Sequence, residues 1–483
     1  MVLPQRLHEL DVRLFRAAQT THTPQLDRIM PPLTNFADHA KLWVAVAGGL
    51  ALFGGRFGRR AATRGMLAVA ANSAIVNGPV KWSARRARPD HALVPLHRLS
   101  RRIPRSSSFP SGHAATAFAF TAAVAQEQPR LAFPVGALAA GVAYSRVHVG
   151  VHYPGDVVAG ALLGTAIGVA TRRVWPVAPH EPARSRQATS VPPRPTGAGL
   201  VVVGNPSAGP ALSRPPLDDL RSELPDAKVV EVEDAAQLRH ALEQAGTDAE
   251  VLGVVGGDGS VNIAAQVAYD AGLPLVVVPA GTLNHFARDV GVESVAYAVQ
   301  AVQRGEAAEI DLATIAGRGF VNTASFGSYP ELVDARERLE QRIGKWPALL
   351  FALIRVLRSS TPLRVEIDGR PQRVWMVFIG NCRYRPSGFA PTWRERLDDG
   401  QLDVRTVDGG PPWGRTRLVA AILTGRLGRS RVYTQRVAEQ VSVRSLDGPL
   451  RLARDGETFD GPEEFVVCKE ERRLVVYTPA TPA

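Results

Sequence analysis

At 483 residues the chain exceeds what one hydrophobic core organises, so two or more packed units are expected. Its two cysteines, Cys382 and Cys468, exclude a disulfide framework and a cysteine-built zinc site. A formal net charge of +12 points to anionic partners, namely nucleic acid, a phospholipid surface or phosphorylated substrates, without choosing among them.

Residues 1–20 interleave Arg6, Glu9, Asp11, Arg13 and Arg16 with Leu3, Leu7, Leu10, Leu14 and Phe15, the pattern of an amphipathic helix and not of a cleaved signal peptide. Five apolar segments follow, at 42–57, 66–80, 114–125, 131–144 and 157–169. They are candidate membrane spans, although several are shorter than the ~20 residues a bilayer needs. A soluble bundle of buried helices would have the same hydropathy, so the motifs must decide. Residues 176–199 are rich in proline, serine and arginine without apolar period and read as a linker. Beyond them short β-rich runs at 199–203, 251–255 and 275–278 alternate with helical patterns at 235–245 and 263–271, which predicts an α/β unit with a parallel sheet. From Asp311 strand-like pieces dominate, at 363–367, 374–379, 402–406, 440–445 and 473–477. The expected architecture is therefore multidomain: an all-α membrane helical bundle (1–175), a linker (176–198), an α/β nucleotide-binding domain (199–310) and a β-sandwich domain (311–483).

Three separated segments of the first half carry residues suited to holding and attacking a phosphate: Lys81 through Arg88-Pro89, then Pro110-Ser111-Gly112-His113, then Ser145-Arg146 through His152 to Asp156. Phosphoryl transfer builds charge on equatorial oxygens, so a phosphatase working without a metal needs cations and N–H donors around them. A neutral imidazole oriented by a carboxylate can serve as nucleophile, and a second histidine can protonate the leaving alkoxide. Together the segments fill every position of Lys-x6-Arg-Pro, Pro-Ser-Gly-His and Ser-Arg-x5-His-x3-Asp. This resembles the type 2 phosphatidic acid phosphatase superfamily over about residues 30–170. The resemblance implies that His152 attacks and Asp156 orients it, that His113 is the acid, and that Lys81, Arg88, Ser111, the Gly112 amide and Arg146 hold the phosphate. It implies no cofactor for this half. His91, His97 and His148 match no motif position, and Arg85, Arg86, Arg98, Arg101, Arg102 and Arg105 read as surface or headgroup contacts.

The second half has glycine-bearing strand exits at Asn205-Pro206-Ser207-Ala208-Gly209 and at Gly256-Gly257-Asp258-Gly259-Ser260. Glycine there lets backbone amides approach phosphates, and a following helix adds its positive N-terminal end. Neither G-x-G-x-x-G nor a Walker A sequence is present. Further along come Pro279-Ala280-Gly281-Thr282-Leu283-Asn284, Asn322 through Gly327, Leu397-Asp398-Asp399-Gly400 and Asp455-Gly456-Glu457. Order and spacing resemble the diacylglycerol kinase catalytic family, sphingosine kinases included, over about residues 199–478, with Ala208 where serine is common and Ser260 where threonine is. The resemblance implies ATP near Asn205, Ser207, Gly257, Asp258, Gly259, Ser260 and Thr282. It also implies magnesium at Asp258 and a structural magnesium near Asp399. For the base that accepts the lipid hydroxyl proton, Glu457 is preferred over Asp258. By themselves Asp455-Gly456-Glu457 read as an ordinary hairpin turn.

Five spans would put the loops 81–112 and 145–156 on one face. The cations Arg56, Arg59, Arg60, Arg64, Arg172 and Arg173 would fall on the other, as the positive-inside rule expects of the cytoplasm. The loop 81–105 is itself basic and runs against that rule. The expectation is a multi-pass cell-membrane protein, its phosphatase site outside and its kinase half cytoplasmic, with lipid substrates, membrane and ATP as partners. Open alternatives are an undecaprenyl pyrophosphate phosphatase joined to a sphingoid, polyprenol or glycolipid kinase, and a chain with one inactive half. A nucleic-acid binder is disfavoured, because no basic patch interleaved with aromatics is present.

Overall fold

A computed structural model describes residues 5–479 except 22, 85, 100–105, 180, 189–190, 208–214, 282–283, 329, 331–360 and 389–391. The chain divides into two compact units, Met1–Ala178 and Pro179–Ala483.

The first unit is helical, with principal helices Gln5–Thr20, Pro24–Phe36, Lys41–Phe53, Gly55–Ile75, Gly112–Glu127, Ala132–His148 and Pro154–Val174. Its centre is the Gly112–Glu127 helix, whose alanines favour helix and leave little bulk between neighbours. Ala114, Ala115, Ala117, Ala119, Phe120, Ala123 and Val124 on it are all buried. Against it lies one stripe of the Pro154–Val174 helix. A Cβ at Gly160, Gly164 or Gly168 would stand 2.4, 2.0 or 2.5 Å from the carbonyl oxygens of Ser111, Ala115 and Ala119. Only hydrogen fits at those three positions, which is the close small-residue packing used between helices. That packing fixes the start of one motif-bearing helix beside the start of the other.

All five predicted apolar segments are helical, and the stretch with Arg56, Arg59, Arg60 and Arg64, expected to connect the first two, is helical as well. The chain breaks at Gly54 and restarts as the Gly55–Ile75 helix. Arg64, expected among the cations of the cytoplasmic face, is fully buried against Glu127 at 2.6 Å, and Arg60 joins it at 2.9 Å. A buried carboxylate requires such a counter-charge. By length and composition one described helix, Pro154–Val174, could cross a membrane alone. Pro24–Phe36 and Asp38–Phe53 pass together but are bent by 69°. The other expected spans are individually too short or too polar.

Among the described residues the second unit holds two large sheets and a two-stranded ribbon of Tyr384–Arg385 with Trp393–Arg394. In the first, Leu200–Gly204, Lys228–Glu231, Val251–Gly256 and Leu275–Pro279 are parallel. The residues of Leu200–Gly204 and Val251–Gly256 are buried without alternation, as in a sheet covered on both faces. Two readings are corrected here. Leu474–Tyr477, expected in the β domain, inserts into this sheet between Leu275–Pro279 and Ala307–Ile310. The expected linker is partly structured: Arg186–Gln187 pairs with the same sheet's edge, and Arg194 bonds Glu250 at 2.6 Å.

The other sheet is antiparallel, has eleven strands and forks at Arg370–Asn381. That long strand pairs first with Leu363–Ile367 and then with Thr323–Gly327 along one edge, and with Leu402–Asp408 along the other. Phe326 and Phe465 from the two arms meet edge to face at 5.8 Å within a shared core that includes Val365, Val377, Val443 and Leu452.

Candidate functional sites

In the first unit, the Ala132–His148 helix ends and the chain turns through Gly150, whose φ of +75° side chains rarely adopt. His152 follows, then Pro154 opens the next helix. Asp156 sits in its first turn and accepts the Tyr153 N–H at 3.0 Å, so the carboxylate that caps the helix also faces His152. His152 Nδ1 lies 3.7 Å from Asp156 Oδ2, and His152 Nε2 lies 3.4 Å from an Arg88 nitrogen. Burial pushes the His152 imidazole down to about 3, Arg146 and Arg88 act in the same direction, and Asp156 opposes them. The ring is therefore neutral, the form a nucleophile requires.

The cations converge on the same place. Burial, reinforced by Arg88 and Arg146, holds the Lys81 ammonium below its usual range. Arg88 is fixed by the carbonyls of Val151 at 2.7 Å and Ser106 at 3.1 Å. Arg146 donates to Thr34 Oγ1 at 2.5 Å. Ser111 is set by its N–H on the Asp156 carbonyl at 2.9 Å. Gly112 opens the helix next to it. Three buried polar atoms here, Ser111 Oγ, Arg146 Nε and His152 Nδ1, have no hydrogen-bond partner among the described residues. Buried donors without acceptors are rare and costly, and phosphate oxygens would satisfy the first two.

In the second unit the strands Leu200–Gly204, Val251–Gly256 and Leu275–Pro279 end side by side. Their exits face the crevice at the carboxyl ends of a parallel sheet, where such folds bind ligands. Gly257 caps the Asp258–Ala271 helix, so its first amides point at the crevice. A Cβ at Gly281 would lie 2.5 Å from the Gly257 Cα, so the two loops form a wall of bare backbone. Asn284, in left-handed conformation, clamps Gly281 at both its N–H and its carbonyl. Asn205 folds its own loop, accepting the Ser207 N–H at 2.7 Å and donating to the Glu233 carbonyl at 2.9 Å.

The hairpin reading of Asp455-Gly456-Glu457 holds, and the turn lies beside the Gly259 loop. Asp455 and Gly456 form a two-residue turn with φ of +44° and +91° between Arg451–Arg454 and Glu457–Asp460. The turn brings Glu457 Oε1 to 3.5 Å from where a Gly259 Cβ would stand. Asp455 pins it there by accepting the N–H groups of Val321, Asn322 and Thr323 at 2.7 to 2.9 Å.

Comparison with known proteins gives a family match for each half of the chain. The PAP2 superfamily model matches residues 62–178, and the diacylglycerol kinase catalytic domain model matches residues 199–315. The diacylglycerol kinase of Bacillus subtilis is 30% identical over 248 residues, which is 48% of this chain and 80% of that protein. The chain belongs to the diacylglycerol kinase family, fused to a PAP2-superfamily domain. The Staphylococcus carnosus diacylglycerol kinase is 25% identical over 50% of this chain and 79% of its own length. A solved transmembrane PAP2-type phosphatidylglycerolphosphate phosphatase from Bacillus subtilis is 23% identical over 34% of this chain and 84% of that one, with a TM-score of 0.28.

In the PAP2 domain several residues gain contacts that the motifs do not show. Arg86, read as a surface cation, bonds Asp156 at 2.7 Å and Asp11 at 2.6 Å. Arg98, also read as surface, is 1% exposed and bonds Asp27 at 2.6 Å. His148 faces that same Asp27 at 2.9 Å. Arg85, Arg101, Arg102 and Arg105 lie outside the described residues. In the kinase domain Arg394 is buried, paired with Asp289 at 2.7 Å and donating to Val321, Asn322 and Asn381. Thr282 and Ala208 lie outside the described residues.

For a metal, Asp258 fits: one oxygen accepts the Phe286 N–H at 3.1 Å, and no bond to the other is found among the described residues. Asp399 clusters with Asp311 and Cys382, their ligand atoms within 4.8 Å of one another. Both Asp399 oxygens already accept backbone N–H groups. Asp311 is balanced by Lys469 at 3.1 Å and Arg473 at 3.2 Å, and burial pushes the Cys382 thiol up to about 12. A hard dication favours oxygen donors, so an ion there would draw on Asp399 and not on the thiol.

Proposed function

We propose that the PAP2 domain hydrolyses lipid phosphate monoesters through a phosphohistidine and that the kinase domain transfers the γ-phosphate of ATP to a lipid hydroxyl. The single observation that carries the first half is the pair of unpartnered buried donors, Ser111 Oγ and Arg146 Nε, beside a neutral, buried His152. His152 Nε2 attacks phosphorus, and the P–O bond to the lipid breaks as His113 gives its proton to the departing alkoxide. His113 then takes a proton from water, the resulting nucleophile cleaves the P–N bond, and inorganic phosphate leaves.

In the kinase domain the wall of Gly257, Gly259 and Gly281, with Asn205, Ser207, Ser260 and Thr282, would hold the phosphates. Magnesium, when bound, would neutralise charge on the β- and γ-phosphates, with Asp258 holding it. Glu457 accepts the hydroxyl proton. The curated Bacillus subtilis relative is named a diacylglycerol kinase, so diacylglycerol and phosphatidic acid are the substrates to try first. The test is full-chain activity on a panel of lipid phosphates and lipid alcohols, with and without Mg-ATP. Phosphate release that persists in EDTA, alongside lipid phosphorylation that stops in it, is expected. EDTA-sensitive phosphate release would overturn the phosphatase reading.

Membrane embedding of the PAP2 domain is supported by large apolar side chains left outside its core, among them Leu52, Phe53, Phe133 and Leu162 at 78, 87, 84 and 69% exposure. The proposed orientation puts the phosphatase site outside and the kinase domain in the cytoplasm. A cysteine at Leu96, itself 88% exposed, should then react with an impermeant reagent added to intact cells. A reporter at Gly199 should be cytoplasmic, and labelling of Gly199 from outside would refute the arrangement.

A further inference from the structure

His113 is held by a residue outside every motif. Its Nε2 lies 2.7 Å from Asp38 Oδ1, 75 positions earlier in the chain. Asp38 occupies the sharp break between Pro24–Phe36 and Lys41–Phe53. The two residues after it, His39 and Ala40, both adopt left-handed backbone, with φ of +54° and +59°. Two consecutive non-glycine residues in that region are uncommon, and such strain persists where the surrounding structure over-determines it, often at functional sites. Here the strained turn delivers one carboxylate to one imidazole. The pair is partly open, with side-chain exposures of 25 and 33%, so a substrate's leaving group can reach the ring.

We infer that Asp38 is the positioning residue for the leaving-group acid: it holds His113 by one ring nitrogen so that the other faces the departing oxygen. This rests on the phosphatase reading above. The geometry gives the PAP2 domain two His–Asp pairs with separate duties. Asp156 serves the nucleophile, and Asp38 serves the acid. Arg86 holds Asp156 by its other oxygen at 2.7 Å, and Ser108 bonds the oxygen that faces His152 at 2.5 Å, so each carboxylate has its own setting in the fold.

The test uses leaving groups. An alkyl phosphate, such as a short-chain phosphatidic acid, needs a proton as its P–O bond breaks. A 4-nitrophenyl phosphate departs without one. With the full chain in detergent, Asp38→Asn should lower kcat/KM for the alkyl ester roughly tenfold or more and for the nitrophenyl ester no more than about threefold. The ratio of the two, measured in one preparation, does not depend on how much enzyme is folded. His113→Ala should show the same pattern, and adding Asp38→Asn to it should cost little more, because both changes remove one function. Equal losses on both esters, or additive losses in the double variant, would overturn the inference while leaving the phosphatase reading intact. Wild-type hydrolysis that survives His152→Ala unchanged would overturn both.

Discussion

Replacing His152 by alanine is expected to reduce lipid phosphate hydrolysis by about 10³-fold or more, with kinase activity unchanged. The ring is the only described group that combines a neutral imidazole, an adjacent carboxylate and the surrounding cations Arg88 and Arg146. Removal of a covalent nucleophile leaves only the residual catalysis that cations and binding supply. His113→Ala should cost about 10²- to 10⁴-fold, the range for loss of a general acid. The pH profile separates the two. Since burial depresses His152 to about 3, the nucleophile stays unprotonated through ordinary assay pH, and loss of activity between pH 6 and 4 should not be traced to it. Trapping a labelled phosphoenzyme in the wild type but not in His152→Ala would give direct proof. A labelled enzyme that survives the substitution would disprove the assignment.

The second large effect is expected at the kinase crevice. Asp258→Ala should remove turnover, because its carboxylate receives the Phe286 N–H with one oxygen and, in the proposed role, would hold with the other the magnesium that neutralises the phosphates. Glu457→Ala should lower kcat by about 10²- to 10⁴-fold while the KM for ATP changes little, the pattern of a proton acceptor used mainly in the transition state. Steady-state kinetics with varied ATP at saturating lipid distinguishes the two. Near-normal turnover in Glu457→Ala would transfer the base role to Asp258.

Much of this was legible in the residues themselves. Runs such as Val201-Val202-Val203 and Val276-Val277-Val278 can only be strands buried on both faces, and the glycine-bearing exits follow them directly. The phosphate-holding motifs are local enough to read, since Ser111 to His113 and His152 to Asp156 each span less than two helical turns. What stayed hidden depends on partners far apart in the chain. Arg86 and Asp156 are 70 positions apart, His113 and Asp38 75, and Arg394 and Asp289 105. No spacing rule links such pairs, and an arginine awaiting a distant carboxylate looks like any surface arginine. The last strand was misplaced for a related reason: Leu474 to Tyr477 would suit either sheet, and only the assembled structure chooses. Apolar length decides little about the first unit, because helices thinned by alanine and glycine for close packing are weak as membrane signals.

The position of Leu474–Tyr477 has a consequence for how the protein is made. The nucleotide-binding sheet is assembled from strands that leave the ribosome early, yet its ladder between Leu275–Pro279 and Ala307–Ile310 stays open until this strand has been synthesised. Until then two strand edges are bare, a liability that invites mispairing. A stop shortly before Leu474 would therefore leave the first unit whole and the parallel sheet of the second without one of its strands.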